Sequence, residues 1–210
     1  MISKATNRNT ARDHRPTLAD PLIEDFSLDP ERYRALESSD FGHLERRQGD
    51  LPRLFGRGDS SALHLTLSNH GTNNRVFLGQ GVNGRLSLGF TGSDSVLFIG
   101  RDVTFANQHI GSRQDRDFIA IGNDVSTTGP GRWVSGLRCT PASAACIVIG
   151  DACVFSHDVV LRNSNGHPFF DPELQGQLNR GDHQLLIEPH CWFGERSAVV
   201  KGVTIGAFSV

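Results

Sequence analysis

Apolar residues recur every six positions over the last third of the chain. Ile149, Phe155 and Leu161 make one run, and Ile187, Phe193, Val199 and Ile205 make a second. Four residues after six of these anchors stands something small or slender: Cys153, Val159, Cys191, Ser197, Val203 and Ser209. A helix repeats its apolar face every 3.6 residues and a half-buried strand every two, so a period of six fits neither alone. It fits the hexapeptide form of a parallel β-helix, in which each six residues build one flat side and about eighteen close a turn.

The same text extends backwards as aliphatic-x-aliphatic-Gly: VFLG from Val76, LSLG from Leu86, LFIG from Leu97, IAIG from Ile119, IVIG from Ile147 and VTIG from Val203. LLIE from Leu185 is the same element with Glu188 in place of glycine. Measured at the last aliphatic, Leu78 to Ile99 is 21 residues, Ile99 to Ile121 is 22, Ile121 to Ile149 is 28, Ile149 to Ile187 is 38 and Ile187 to Ile205 is 18. Everything beyond one coil is read as loop extruded at a corner, near 108–116, 128–145 and 166–184. The glycines of GR at 100, GN at 122 and GD at 150 are expected to supply unusual backbone angles at the corners. A β-sandwich also has short strands and Gly-rich turns, but the unbroken sixes from Ile187 to Ile205 argue against it.

Residues 1–60 read differently. They are charged, punctuated by proline and without the period, and are expected to be a polar extension. DPERYRALESS from Asp29 predicts a short helix, with an Asp cap and Pro in the first turn. The expected division is therefore an extension over 1–60 and an all-β solenoid over 61–210. Composition narrows the function classes. A net charge of −2 over 210 residues leaves no basic footprint for nucleic acid. No run of eighteen apolar residues predicts a membrane span. The first residues lack the apolar core of a secretory signal, so the cytoplasm is the default expectation. Cys153 and Cys191 fall at small inward positions and read as buried thiols. Cys139 and Cys146 fall in a loop-like segment without zinc-ligand spacing, and no metal is expected.

CIVIGDACVFSHDVVLRNSNGH followed by LLIEPHCWFGERSAVVKGVTIGAFSV resembles the hexapeptide-repeat acetyltransferases. Within that group it is most similar to bacterial polysaccharide and sugar O-acetyltransferases and to the maltose and galactoside acetyltransferases. The resemblance is strong over 147–210, holds at the level of the repeat over 76–146, and is absent over 1–60. It implies a left-handed β-helix, a homotrimer with the active site between subunits, and acetyl-CoA as the acyl donor. It implies that His167, at the start of the longest loop, is the general base that takes a proton from the acceptor as it attacks the thioester. Such help is worth roughly 10²–10⁴-fold. HPFFD adds Asp171, and QGQLN matches a Gly-x-x-Asn with Gly176 and Asn179. Asn163 and Asn179 are the candidates for acceptor contacts.

Two departures bear on the base. Asn165 stands where the similar enzymes often carry aspartate, and it cannot offset a developing imidazolium, so Asp171 is the alternative orienting group. Pro168 holds His167 in extended backbone. The resemblance places Trp192, Gly194, Ser197, Ala198 and Lys201 along the pantetheine arm of coenzyme A. For Trp192 a seat against a neighbouring subunit is equally open, and for Lys201 a solvated surface. His157 is expected to point outward, and His183 and His190 to lie on the surface. A three-histidine metal site of the γ-carbonic-anhydrase kind would need close pairing of histidines that the chain lacks.

The chain stops at Val210 in mid-coil, where similar enzymes continue, and it reads as C-terminally truncated. Asn165, Glu188 and this stop keep a non-catalytic scaffold trimer in play. An N-acetyltransferase acting on an amino-sugar is a further alternative, using the same base.

Overall fold

The structure is a computed structural model, and it describes residues 33–135, 146–164, 169–173, 176–178, 184–200 and 202–210. Among these residues the only helical element is one 3-10 turn, Ser38–Asp40. No helix among them is long and apolar enough to cross a membrane.

The chain winds as a parallel β-helix. One face is an eight-stranded sheet whose order follows the sequence: 34–35, 53–56, 75–78, 96–99, 118–121, 146–149, 184–187 and 203–205. All pairs in it are parallel except the first, where Arg34 and Ala35 run antiparallel to Gly56 and Phe55. The aliphatic anchors stack in one column, with Leu78 opposite Ile99, then Ile121, Ile149, Ile187 and Ile205. This is the register implied by the intervals in the sequence.

The second sheet begins with four long strands, 41–48, 60–69, 83–90 and 104–112. Beyond them it divides. Thr104 pairs with Ser126, while Asn107–Ser112 pair with Pro130–Ser135. Strands 126–127, 154–155 and 192–193 continue as a second face, and strands 130–135, 159–162 and 198–200 as a third. Inside, the anchors meet as an aromatic column. Trp133 lies 6.4 Å from Phe105 and 4.8 Å from Phe155, and Phe155 stacks on Phe193 at 4.8 Å. Cys153 and Cys191 are buried, as their small inward positions require.

Several expectations are corrected. The helix from Asp29 does not form in its described part, which begins at Tyr33 and contains a strand and the 3-10 turn. Side-chain packing overrides helix propensity here. Tyr33 sits edge-on to Phe77 (5.3 Å) and Phe98 (6.1 Å) under the Arg57 guanidinium, and Leu36 is buried in the main core. Residues 41–56 already join both sheets. The loops are shorter than the intervals imply: 108–112 and 130–135 are strand, because the long strands run past one corner. Cys146 is a buried strand residue, not a loop residue. Cys139 lies outside the described residues.

The corner glycines have a different purpose from the expected one. Gly100, Gly122 and Gly150 do not adopt positive φ. A Cβ on Gly100 would lie 2.6 Å from the Gly122 carbonyl carbon, and one on Gly150 would lie 2.6 Å from the Pro189 nitrogen. Glycine is needed because neighbouring coils touch backbone to backbone. The left-handed residue comes two places later, at Asp102, Asp124, Ala152, His190 and Phe208, with φ between 53° and 62°. That conformation turns each amide back to a carbonyl of the preceding coil, as when Asp124 N donates to Arg101 O at 2.9 Å.

A buried polar seam runs down the corner that leads into the eight-stranded face. Asn74 Nδ2 donates to Asn69 Oδ1 (2.9 Å), and Ser95 N donates to Asn74 Oδ1 (2.9 Å). Ser112 Oγ lies 2.9 Å from Ser95 Oγ and 3.0 Å from Asp117 Oδ2. Asp117 Oδ2 also accepts the amides of Arg113 and Gln114, both at 3.0 Å, while its buried Oδ1 has no partner among the described residues. Burial pushes the Asp117 carboxyl up to about 6, against the three hydrogen bonds that favour its charged form.

A carboxyl raised in the folded state is at full stability below pH 4 and loses stability as pH rises through 6. Asp117→Asn is therefore expected to gain on wild type by about 2 kcal/mol between pH 4 and pH 8. Urea unfolding at the two pH values measures this. A difference that does not change with pH would remove the buried charge as the cause.

Candidate active site

The last complete coils carry the candidate residues in two groups. The first is the root of the long loop. Leu161 points into the core and Arg162 outward, and Asn163 then turns fully into the seam. Its Nδ2 donates to Ser135 Oγ (2.9 Å) and to the Cys146 carbonyl (3.1 Å). An amide held this way anchors the loop and has no surface to offer an acceptor. Ser164 beside it is also buried.

The loop that follows is described in part. Asn165, His167, Asn179 and His183 lie outside the described residues. Phe170–Asp171 pairs antiparallel with Gly176–Gln177, which sets Asp171 opposite Gly176. Asp171 Oδ1 accepts the Glu173 amide at 2.8 Å, so the carboxylate closes its own turn. Phe169, Phe170 and Leu178 are exposed, giving this hairpin an apolar surface.

The second group sits where the second face meets the third. Trp192, in register with Val154, is 53% exposed, and its indole nitrogen donates to Ser156 Oγ at 3.3 Å. Half the ring is thus free for contact while its tilt is held. Nothing lies within 4 Å of where a Cβ on Gly194 would stand, so the corner is open to solvent. Ser197 Oγ donates to the Gly194 carbonyl at 2.8 Å and fixes that open turn. Ala198 is exposed and pairs with Val160. Lys201 lies outside the described residues. His157 is exposed on the same corner, as expected, and its ring covers Gly129, where any side chain would collide with it. His190 is likewise exposed, stacked on Phe208 at 4.9 Å.

The third face joins the two groups. Val160 pairs with Ala198 and Arg162 with Val200, so the loop root and the open corner belong to the same two adjacent coils. An aromatic plate, an open glycine turn and a small residue in sequence make a shelf with exposed backbone. Neither Ser156 nor Ser135 stands out in the sequence, since each gains its part only from register with a residue about 28 or 36 positions further on. Among the described residues no group of three or more His, Cys, Asp or Glu side chains is placed to hold a metal.

The chain matches no family model. It is similar to two curated proteins, both polysialic acid O-acetyltransferases. With that of Escherichia coli O1:K1 / APEC it shares 29% identity over 89 residues, which is 39% of this chain and 29% of the relative. With that of Neisseria meningitidis it shares 29% over 146 residues, which is 68% of this chain and 62% of the relative. The chain thus spans less than two thirds of either. Its fold is that of the polySia-specific acetyltransferase NeuO, at a TM-score of 0.66 and 22% identity, over 78% of this chain and 67% of that one. The resemblance to bacterial polysaccharide O-acetyltransferases holds at the level of relatives and of fold.

Proposed function

We propose that this chain moves an acetyl group from acetyl-CoA to a hydroxyl of a bacterial surface polysaccharide or its precursor. The observation that carries the reading is the open shelf of Trp192, Gly194 and Ala198, one strand away from the root of the loop that holds His167. It is supported by the similarity to polysialic acid O-acetyltransferases.

In this reading His167 takes the proton of the acceptor hydroxyl as the oxygen bonds to the acetyl carbonyl carbon. The carbon–sulfur bond breaks, and the thiolate leaves and is protonated. A base with a near-neutral pKa suits both halves of that exchange. Asn163 and Ser135 hold the loop at its root, and Asp171 shapes the hairpin beyond the histidine. Trp192 lies along the donor, with Ser197 keeping the Gly194 turn open for it and Lys201 close to the phosphates. Asn165 and Asn179 contact the base and the acceptor from the loop. The assembly is a cytoplasmic homotrimer, with the site completed by a neighbouring subunit.

Trp192→Ala tests the donor shelf. It is expected to raise KM for acetyl-CoA about tenfold, the loss of roughly 1.4 kcal/mol of contact. Because the ring is half exposed, unfolding stability should change by less than about 1 kcal/mol. An unchanged KM, or a trimer that falls apart, would move Trp192 from the donor site to a subunit contact.

A further inference from the structure

Beyond its first strand, whose outward Glu45 lies opposite Thr66, the outer side of the second sheet and of its continuation as the third face carries cations and, among the described residues, no carboxylate. Strands 60–69, 83–90, 104–112, 130–135, 159–162 and 198–200 contain not one Asp or Glu. Alternation along these strands sends His64, Arg85, His109, Arg132 and Arg162 outward, opposite the buried Leu63, Leu65, Leu86, Ile110, Trp133 and Leu161. Arg85, Arg132 and Arg162 are exposed and make no ion pair among the described residues. Elsewhere in the described coils arginines do find carboxylates, as in Arg34 with Asp40 and Arg101 with Asp124.

The register sets four of these residues on a diagonal. Ser87 pairs with His109, His109 with Arg132 and Arg132 with Val160, two residues before Arg162. Arg85 lies two residues before Ser87. From Arg85 to Arg162 the line crosses three strand spacings and about four residues along a strand, roughly 20 Å. Its floor holds Ser87, Gly89 and Gly111 at one end, where the His109 ring lies over the two glycines, and Val134 and Val160 at the other. It ends at Arg162, beside the buried Asn163 and the start of the loop that holds His167. The field here is felt by the protein itself. Burial, and then the Arg132 and Arg113 charges, push the His109 imidazole below its ordinary pKa.

We infer that the diagonal Arg85–His109–Arg132–Arg162 is the docking track for an extended, carboxylate-bearing glycan, which it leads to the loop of His167. The inference rests on the acetyltransferase reading and adds the acceptor's charge and path to it. Unpaired guanidinium forks at intervals of one or two coils fit carboxylates spaced along a chain. Short side chains, Ser87, Val134 and Val160, separate them and leave room for sugar rings. A neutral glycan would gain nothing from three uncompensated arginines.

The test is the triple variant Arg85→Gln, Arg132→Gln, Arg162→Gln, read by binding and by turnover. The probes are polysialic acid, the same polymer with its carboxyls reduced to alcohols, and acetyl-CoA. Wild type should bind polysialic acid at least tenfold more tightly than the reduced polymer, and raising salt from 0.05 to 0.5 M should weaken that binding. The variant should lose about tenfold in affinity for polysialic acid, and in KM where transfer is seen, while its acetyl-CoA binding stays at the wild-type level. Equal binding of the charged and reduced polymers, or a variant that binds polysialic acid like wild type, would overturn the track. Wild type that binds polysialic acid through these arginines but transfers no acetyl would keep the track and remove the transferase reading. Transfer that is insensitive to salt and to the three substitutions would do the reverse.

Discussion

Replacing His167 with alanine is expected to lower acetyl transfer by about 10²–10⁴-fold. A hydroxyl is a poor nucleophile until its proton has somewhere to go, and direct transfer from a thioester provides no protein nucleophile to share the work. Two histidines of the described last coils are otherwise engaged. The His157 ring covers Gly129 and His190 is stacked on Phe208. The coils on either side of the loop pair without it, Ile149 opposite Ile187 and Leu161 opposite Val199. The variant should therefore keep its unfolding midpoint and its acetyl-CoA affinity while losing turnover. Free-thiol release against acceptor concentration, with a denaturation curve on the same sample, measures both. Turnover at the wild-type level would take His167 out of the mechanism.

The largest stability effect is expected at Trp133. Its side chain has no exposed surface and fills the interior between Phe105 and Phe155. Trp133→Ala should cost about 3–5 kcal/mol, the transfer of the indole plus the cavity left behind. Neighbouring coils depend on one another for burial, so the loss should spread to the coils on both sides. Trp133→Phe is the informative partner. The indole nitrogen is buried without an acceptor among the described residues, and phenylalanine removes that unmet donor while keeping most of the volume. It should cost far less than alanine, and urea unfolding of both variants checks the order. Equal losses would mean that the indole's extra volume, rather than the aromatic column, is what the coil requires.

Much of the solenoid was legible because its signal is a distance along the chain. The column from Leu78 to Ile205 could be counted from the sequence and is found in register. Where the outer face is charged the signal fails. Strand 41–48 reads FGHLERRQ, whose only core-like residues are Phe41 and Leu44, and so the first coil passed for an extension. Asp117 was illegible for a different reason. An aspartate in a polar corner looks like turn chemistry, and only the seam of Asn74, Ser95 and Ser112 shows that it is buried.

The candidate site divides along the same line. Trp192, Gly194 and Ala198 fall on one open corner because the six-residue step fixes which positions face outward. Asn163 could not be placed that way, because it lies beyond the last regular position and turns inward to Ser135. The cationic diagonal was invisible for want of register. Arg85, His109, Arg132 and Arg162 are 24, 23 and 30 residues apart, and single basic residues at such intervals carry no pattern until the coils are stacked.

The central claim is acetyl transfer to a polysaccharide hydroxyl, and the most direct measurement is release of free thiol from acetyl-CoA with and without polysialic acid. The account predicts release that requires the polymer, saturates with it and leaves O-acetyl groups on the product. No release above the acceptor-free rate from a folded protein that binds neither acetyl-CoA nor the polymer would contradict it.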